Sequence, residues 1–183
     1  QMQAQDPGID RRVDSVLNLM TLQEKIGQLN QYNDNWTATG PMTENSDLAG
    51  QIRSGKVGSI LNATGTERTR TWQTIAMQSR LKIPLLFGQD VVHGYKTTFP
   101  IPLAEACSWD LQAIELSART AAVEASASGV HWNFAPMVDI ARDPRWGRVM
   151  EGAGEDPYLA SKIAFARVKG LQGEKIGSVN SMM

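Results

Sequence analysis

The chain has 183 residues, of which 42% are hydrophobic and 20% are charged, a composition that suits one folded domain with a buried core. Its formal net charge of −1, without any run of like charges, argues against nucleic acid or an acidic membrane surface as a partner. No apolar stretch reaches the roughly 18 residues that a membrane span needs, so no membrane partner is predicted.

Metal and disulfide chemistry are poorly supported by the composition. One cysteine, Cys107, excludes an internal disulfide, and the only histidines are His93 and His131. A zinc site built from Cys and His would need all of these side chains close together, so no metal site is predicted. We predict instead that Cys107 is a small buried group and that His131 is a strand residue.

The beginning of the chain predicts two short helices and a loop. The apolar residues of the first helix recur at helical spacing: Val13, Val16, Leu17 and Met20. Residues 21–24 form a capping box that starts a second helix through Leu29. Residues 33–45 are rich in Asn, Thr, Gly and Pro, which is typical of a loop.

From residue 57 onward, strand and helix patterns alternate. Strands are predicted over 57–61, 84–88 and 130–134, and helices over 66–81, 110–128 and 156–172. Gly129 is placed to stop the second of these helices, and Asp156 followed by Pro157 is a good start for the third. The alternation predicts an α/β fold, a parallel sheet with helical crossovers.

Two parallel architectures fit this pattern, an open doubly wound sheet and a (β/α)8 barrel. An open sheet that binds a nucleotide carries a Gly-rich turn after its first strand, and residues 62–66 are not such a turn. A barrel takes about 250 residues. About three strands are visible here, so a barrel would be partial, comprising about the first three β/α units.

In either architecture the working residues follow the strands, and two of these loops are unusual. In the first, Asp90 leaves an apolar strand, a costly choice unless water, a donor or a ligand meets it. Its carboxylate could accept hydrogen bonds from two adjacent sugar hydroxyls, or it could cap the next turn.

The second unusual loop, over residues 133–157, gathers acidic side chains, arginines and Trp146. Arginine suits carboxylates, phosphates or paired hydroxyls, and an indole suits a sugar ring. The alternative for most of these charges is a solvated loop held by salt bridges. In that interpretation Asp156 caps a helix, and Arg142 and Asp143 fix the loop.

Four stretches carry a resemblance to a known family. They read M-T-L-Q-E-K-I-G-Q-L at 20–29, F-G-Q-D-V-V-H-G at 87–94, F-P-I-P-L-A-E-A-C-S-W-D at 99–110, and an R-D-P-R-W-G-R-x-x-E-x-x-G-E-D-P block that ends at Pro157. They resemble the β-glucosidases of glycoside hydrolase family 3, and the match runs from about Val13 onward.

The resemblance implies that residues 1–183 are the N-terminal part of a (β/α)8 barrel domain, with the remainder of the barrel and further domains outside this chain. It implies a retaining exo-β-glucosidase, periplasmic or secreted, that acts on β-glucosides or cello-oligosaccharides. The remainder of the same polypeptide is then a partner of this segment, and the chemistry needs no metal or organic cofactor.

Site residues carry over from the matching motifs. The resemblance implies that Asp90 holds the C4 and C6 hydroxyls of glucose and that Arg148 contacts the same sugar. Glu151 is expected to support Arg148, and His93 is expected to organise its loop rather than to catalyse. Trp36 is a candidate to flank the +1 subsite.

No residue of this chain matches the catalytic motifs of the family. Retaining hydrolysis needs two carboxyl groups about 5 to 5.5 Å apart, a nucleophile and an acid/base. The family's Lys-His pair, nucleophilic Asp and acid/base Glu are expected beyond Met183, so none is assigned here, and neither Asp139 nor Glu155 matches those motifs. We expect the isolated chain to be inactive and aggregation-prone, since it would expose a sheet edge.

Two alternatives stay open. Family β-xylosidases tend to carry Glu at the position of Asp90, and family N-acetylglucosaminidases read D-Q-E-G-G there, so both comparisons favour glucose. A non-catalytic, truncated sugar-binding module is the other possibility.

Overall fold

A computed structural model describes residues 7–34, 47–174 and 182. In this part of the chain seven α-helices are present: α1 Pro7–Leu19, α2 Leu22–Gln28, α3 Leu48–Arg53, α4 Thr66–Ala76, α5 Pro102–Ala106, α6 Leu111–Ala127 and α7 Pro157–Gln172. The strands are β1 Gln31–Asn33, β2 Ser59–Leu61, β3 Leu86–Gln89 and β4 Trp132–Asn133, and a short 3₁₀ helix covers Val149–Glu151.

The strands form one sheet in the order β1-β2-β3-β4. The β1–β2 pair is parallel, with Tyr32 opposite Ile60, and the β3–β4 pair is parallel, with Gly88 opposite Trp132. The predicted α/β class with parallel strands is therefore confirmed, and the sheet of the described residues does not close into a barrel. The sheet has four strands where the sequence pattern predicted about three, because the polar strand β1 carries no apolar run that such a pattern could detect.

The predicted helix over 66–81 ends early, at Ala76. The Ser79 hydroxyl donates to the Ala76 carbonyl over 2.7 Å, so a side chain satisfies a carbonyl at the helix end. The short helices α3 and α5 were not predicted. Each spans little more than one turn, and such short helices depend on tertiary packing.

Two compact units can be described separately, and the first contains the described residues up to Leu61 together with 67–86. The predicted capping box is confirmed, since the Glu24 amide donates to Thr21 Oγ1 over 3.2 Å and the Thr21 amide donates to Glu24 Oε2 over 2.8 Å. Arg80 also donates to both oxygens of Glu24, over 3.0 and 2.6 Å. The hydrogen bonds that the Glu24 carboxylate accepts, with the largest effect from Arg80 and the next from the Thr21 amide, lower the pKa of Glu24 to about 2.

The second unit contains 62–66 and the described residues from Phe87 onward, and its helices α6 and α7 pack closely. Small residues make this approach possible. Ala118 and Ala122 of α6 are buried, and a Cβ at Gly170 of α7 would lie 2.4 Å from the Glu115 carbonyl oxygen. Gly129 follows α6 with φ 89°, as its predicted stop position requires.

Replacing Gly170 by Ala should destabilise the fold by about 1 to 3 kcal/mol, because the added methyl group would overpack rigid backbone. The sign of this change in the free energy of unfolding is informative, because replacing Gly by Ala in a helix interior ordinarily stabilises a protein by roughly 0.5–1 kcal/mol. Gly147→Ala is the matched control, because a Cβ there would meet nothing within 4 Å. Chemical denaturation would measure both changes, and a stabilising Gly170→Ala would contradict the close-packing account.

Cys107 and His131 differ from expectation in different ways. Cys107 is exposed at the end of α5, so the prediction of a buried cysteine is wrong: the turn after the helix directs it to solvent. His131 lies one residue before β4, stacked on Phe87 with ring centroids 5.6 Å apart. Its Nδ1 accepts the Phe87 amide hydrogen over 3.3 Å.

Partial burial lowers the pKa of His131 below the ordinary value of 6.5, although the residue as a whole is exposed to solvent. Below pH 6.5 the unfolded chain therefore binds the proton more readily, and the free energy of unfolding should fall as the pH drops through this window. His131→Asn keeps an acceptor near Phe87 but does not titrate. Thermal midpoints from pH 8 to 5 should separate the two proteins only on the acid side, and parallel curves would contradict this expectation.

Within the described ranges, no helix combines the length and the apolar character needed to cross a membrane.

Candidate functional site

Asp90 is the first residue after β3. The last residue of that strand, Gln89, is in register with Asn133 of β4 and accepts the Phe134 amide hydrogen over 3.2 Å. Asp90 itself is exposed. No hydrogen bond to its carboxylate comes from any residue that the structure describes, so the turn-capping alternative finds no support in this part of the chain.

Arg148 stands at the start of the 3₁₀ helix and pairs with Glu151 on the same turn. Arg148 Nε donates to Glu151 Oε1 over 2.9 Å, and Nη2 donates to Oε2 over 2.7 Å. This two-point contact fixes the plane of the guanidinium, because the fork matches the carboxylate. The structure thus pairs the Arg148 and Glu151 side chains directly.

Three carboxylates stabilise the positively charged form of Arg148. The hydrogen bonds that Arg148 donates to Glu151 raise the pKa of Arg148 most, and the negative charges of Glu151, Asp90 and Asp139 raise it further. In turn, the hydrogen bond from Arg148 lowers the pKa of Glu151 below 4.5. The fold therefore brings Asp90 and Asp139 into electrostatic range of Arg148, and Asp139 is the member that the sequence did not assign to the site.

His93 lies in a loop that closes on itself. Its Nδ1–H donates to the Phe99 carbonyl over 3.0 Å, and the Phe99 amide donates back to the His93 carbonyl over 2.8 Å. Gly94 has φ 111°, and a Cβ there would lie 1.9 Å from the Thr97 carbonyl oxygen, so the loop requires glycine. Glu124 of α6 accepts the Lys96 and Thr97 amide hydrogens and anchors the tip of the loop.

The residues between Asp90 and His93 are held by two side chains that the sequence did not single out. Asn133 Oδ1 accepts the Val91 amide hydrogen over 2.9 Å, and Arg167 Nη2 donates to the Val92 carbonyl. Both partners are distant in sequence, by 42 and 75 residues, so no local pattern indicates them. An Asn within an apolar strand and an Arg on the buried face of a helix were the available signals.

Several other charged side chains of the second loop make the contacts expected of a solvated loop held by salt bridges. Asp143 accepts the Arg145 amide hydrogen over 2.9 Å and pairs with its guanidinium, which lowers the pKa of Asp143. The predicted helix cap is confirmed: Asp156 Oδ1 accepts the Tyr158 and Leu159 amide hydrogens over 2.7 and 3.1 Å.

Two further predictions of the sequence analysis concern Trp36 and metal binding. Trp36 lies outside the described residues. Among the side chains that are described, no cluster of His, Cys, Asp and Glu could hold a metal ion.

Comparison with known proteins gives the family. Residues 21–182 match the family model described as the Glycosyl hydrolase family 3 N terminal domain. The chain spans less than a third of the length of the first relatives that it matches, 22% to 31% of each. It is 43% identical over 175 residues to a periplasmic beta-glucosidase of Salmonella typhimurium, an alignment that covers 95% of this chain and 22% of that protein.

Solved structures agree with the sequence match. A beta-glucosidase of Listeria innocua in complex with isofagomine aligns with a TM-score of 0.84 and 39% identity, over 94% of this chain and 24% of that one.

Another relative, matched by sequence, is a beta-xylosidase of Formosa agariphila. It is 32% identical over 169 residues, which cover 92% of this chain and 19% of that protein. The chain therefore belongs to glycosyl hydrolase family 3, within the region that forms the family's N-terminal domain.

Proposed function

We propose that the whole protein is a retaining exo-β-glucosidase that removes terminal non-reducing β-D-glucosyl residues, and that this chain supplies part of its −1 glucose subsite. The observation that carries the proposal is the cluster of Asp90, Arg148 and Glu151, in which an exposed carboxylate lies within electrostatic range of a braced guanidinium. The beta-glucosidases of Salmonella typhimurium and Listeria innocua support the same activity.

Asp90 and Arg148 divide the recognition of glucose between them. The Asp90 carboxylate accepts hydrogen bonds from the C4 and C6 hydroxyls, and Arg148 donates to the same ring through N–H groups that Glu151 does not use. Charge-assisted bonds of this kind strengthen as the ring distorts towards an oxocarbenium-like transition state. Glu151 keeps the guanidinium in the plane that the sugar needs.

His93 serves the site through its loop rather than through proton transfer. Its Nδ1–H is engaged by the Phe99 carbonyl, which orients the ring within the segment that follows Asp90. Trp36 is proposed as an aromatic wall of the +1 subsite.

The reaction itself requires groups that we assign outside these residues. Retention needs a nucleophilic carboxylate and an acid/base carboxyl about 5 to 5.5 Å apart. Asp139 lies in range of Arg148, and its charge is proposed to tune that guanidinium rather than to attack the sugar. The remainder of the polypeptide supplies the catalytic pair, and the whole protein works in the periplasm or outside the cell, as the periplasmic relative suggests.

A β-xylosidase is the second candidate, since beta-xylosidases also match this chain. The two differ in what fills the space of the sugar C6 arm. Asp90 is short enough to leave room for the glucose hydroxymethyl group, whereas Glu would occupy it. Under the glucosidase proposal, Asp90→Glu should lose glucoside activity, whereas a xylosidase should keep or gain xyloside activity with the same change.

Hydrolysis of p-nitrophenyl β-glucoside tests the proposal directly. The whole protein should turn over this substrate, and the purified chain of residues 1–183 should not, even at high enzyme concentration. Calorimetry with glucose separates the third alternative, because a non-catalytic module would bind the sugar without any turnover by the whole protein. Clear turnover by residues 1–183 that disappears with Asp90→Ala would overturn the assignment of the catalytic carboxylates.

A further inference from the structure

The backbone of Val91 and Val92, directly after Asp90, is held by side chains from distant parts of the chain. We infer that Asn133 and Arg167 are positioning residues that fix the main chain next to Asp90 and thereby aim its carboxylate at the sugar. The inference rests on the proposed role of Asp90 as a glucose ligand. Neither residue touches the substrate in this account, and both act through the backbone of Val91 and Val92.

Asn133 pairs with both backbone groups of one residue. Its Oδ1 accepts the Val91 amide hydrogen over 2.9 Å, and its Nδ2 donates to the Val91 carbonyl over 3.4 Å. Val91 and Asn133 are both buried. A carboxamide that satisfies a buried donor and a buried acceptor replaces the ladder partner that the chain loses when it leaves β3.

Arg167 holds the next residue, Val92, through its carbonyl oxygen. Its guanidinium divides its donors between the Val92 carbonyl, through Nη2, and Glu105 Oε2, which Nη1 reaches over 2.6 Å. The other Glu105 oxygen accepts the Ser117 hydroxyl over 2.8 Å. The Arg167 and Glu105 side chains are only 7% and 6% exposed, so this network is an interior scaffold.

Stability alone does not account for this choice of residues. Burying an ion pair carries a desolvation cost, and a well-packed apolar pair of similar volume is commonly as stable. An apolar pair could not hold the Val92 carbonyl, whereas the planar fork of arginine reaches two acceptors at once. Arg167 also lines the same small cavity as Asp139 and Glu151, which links the scaffold to the surroundings of Arg148.

Asp90 is consequently fixed from both sides. Gln89 before it is part of the β3–β4 ladder, and Val91 and Val92 after it are held by Asn133 and Arg167. Little backbone freedom remains at Asp90, so its carboxylate is presented in one direction. Misplacement of a binding group by about 1 Å can reduce a rate by about 10², which is the scale of effect expected when these contacts are lost.

The test uses Asn133→Ala and Arg167→Lys in the whole protein. Lysine keeps a cation for Glu105 but lacks the two-nitrogen fork with which arginine reaches the Val92 carbonyl at the same time. We expect kcat/KM for p-nitrophenyl β-glucoside to fall by about 10- to 100-fold. The ratio of kcat/KM for the glucoside to that for p-nitrophenyl β-xyloside should fall by about tenfold, since a xyloside lacks the C6 contact to Asp90.

This selectivity ratio does not depend on the folded fraction, so a merely structural defect would leave it unchanged. Lys169→Met is the matched control, because it removes an exposed α7–α6 ion pair, Lys169 to Glu115 at 2.8 Å, and should not alter the ratio. The two variants act on different elements, so misfolding of one leaves the other as the test. An unchanged ratio in a folded variant overturns the inference.

A double-mutant cycle isolates action through Asp90. In the Asp90→Asn background, adding Asn133→Ala should change the ratio little, because the group that it positions is already disabled. Full additivity would overturn the inference. If Asp90→Asn alone has no effect on glucoside hydrolysis, the proposed function fails instead, so the two failures are distinguishable.

Discussion

Asp90→Asn in the whole protein is expected to lower kcat/KM for p-nitrophenyl β-glucoside by about 10² to 10⁴. The amide has nearly the same shape as the carboxylate, so the change removes charge and acceptor strength rather than volume. Part of the loss should appear in kcat, because the bonds to the C4 and C6 hydroxyls strengthen in the transition state. Steady-state kinetics with the wild-type protein as reference measures the effect.

Asp143→Asn provides the matched control for this experiment. Asp143 is also an aspartate on a loop that follows a strand, but its carboxylate is engaged by Arg145 at 2.5 Å. We expect its replacement to change kcat/KM by less than about threefold, as for an exposed surface pair. Equal activity of the Asp90→Asn protein and the wild type would contradict the assignment of Asp90 to the glucose subsite.

Glu105→Leu should be the most destabilising single change among those considered, by about 3 to 5 kcal/mol. The substitution leaves the Arg167 guanidinium buried without its counter-ion, and Arg167 Nε has no hydrogen-bond partner among the described residues. Burial already lowers the pKa of Arg167, and only the charge of Glu105 opposes that effect. The thermal or urea midpoint of the whole protein reports the loss.

Two comparisons make the Glu105 result interpretable. Combining Glu105→Leu with Arg167→Met should recover most of the stability, because no unpaired charge then remains inside. Glu115→Gln breaks the exposed pair with Lys169, whose side chains are 36% and 57% exposed, and should cost no more than about 1 kcal/mol. Similar losses for Glu105→Leu and Glu115→Gln would contradict the account of a buried ion pair.

Helix starts were accessible from sequence because their signals are local. Thr21, Asp110 and Asp156 each cap a helix with a side-chain oxygen that accepts amide hydrogens two or three residues ahead, so the interacting atoms are sequence neighbours. Strand β1 and the short helices α3 and α5 were not predicted. Their few residues carry no distinctive period, and packing against other elements decides their conformation.

The candidate site also combines features that the sequence predicts with features that depend on tertiary contacts. The sequence by itself determined the family and the motifs that carry Asp90, Arg148 and Glu151. The resemblance predicted that Glu151 supports Arg148, and one turn of backbone is enough for their contact because they lie three residues apart. Only the tertiary structure decided that Asp139 lies in range of Arg148 and that Asn133 and Arg167 hold the segment after Asp90. Such contacts join residues tens of positions apart, and a side chain's chemistry restricts what it can bind without specifying which distant partner the fold will bring to it.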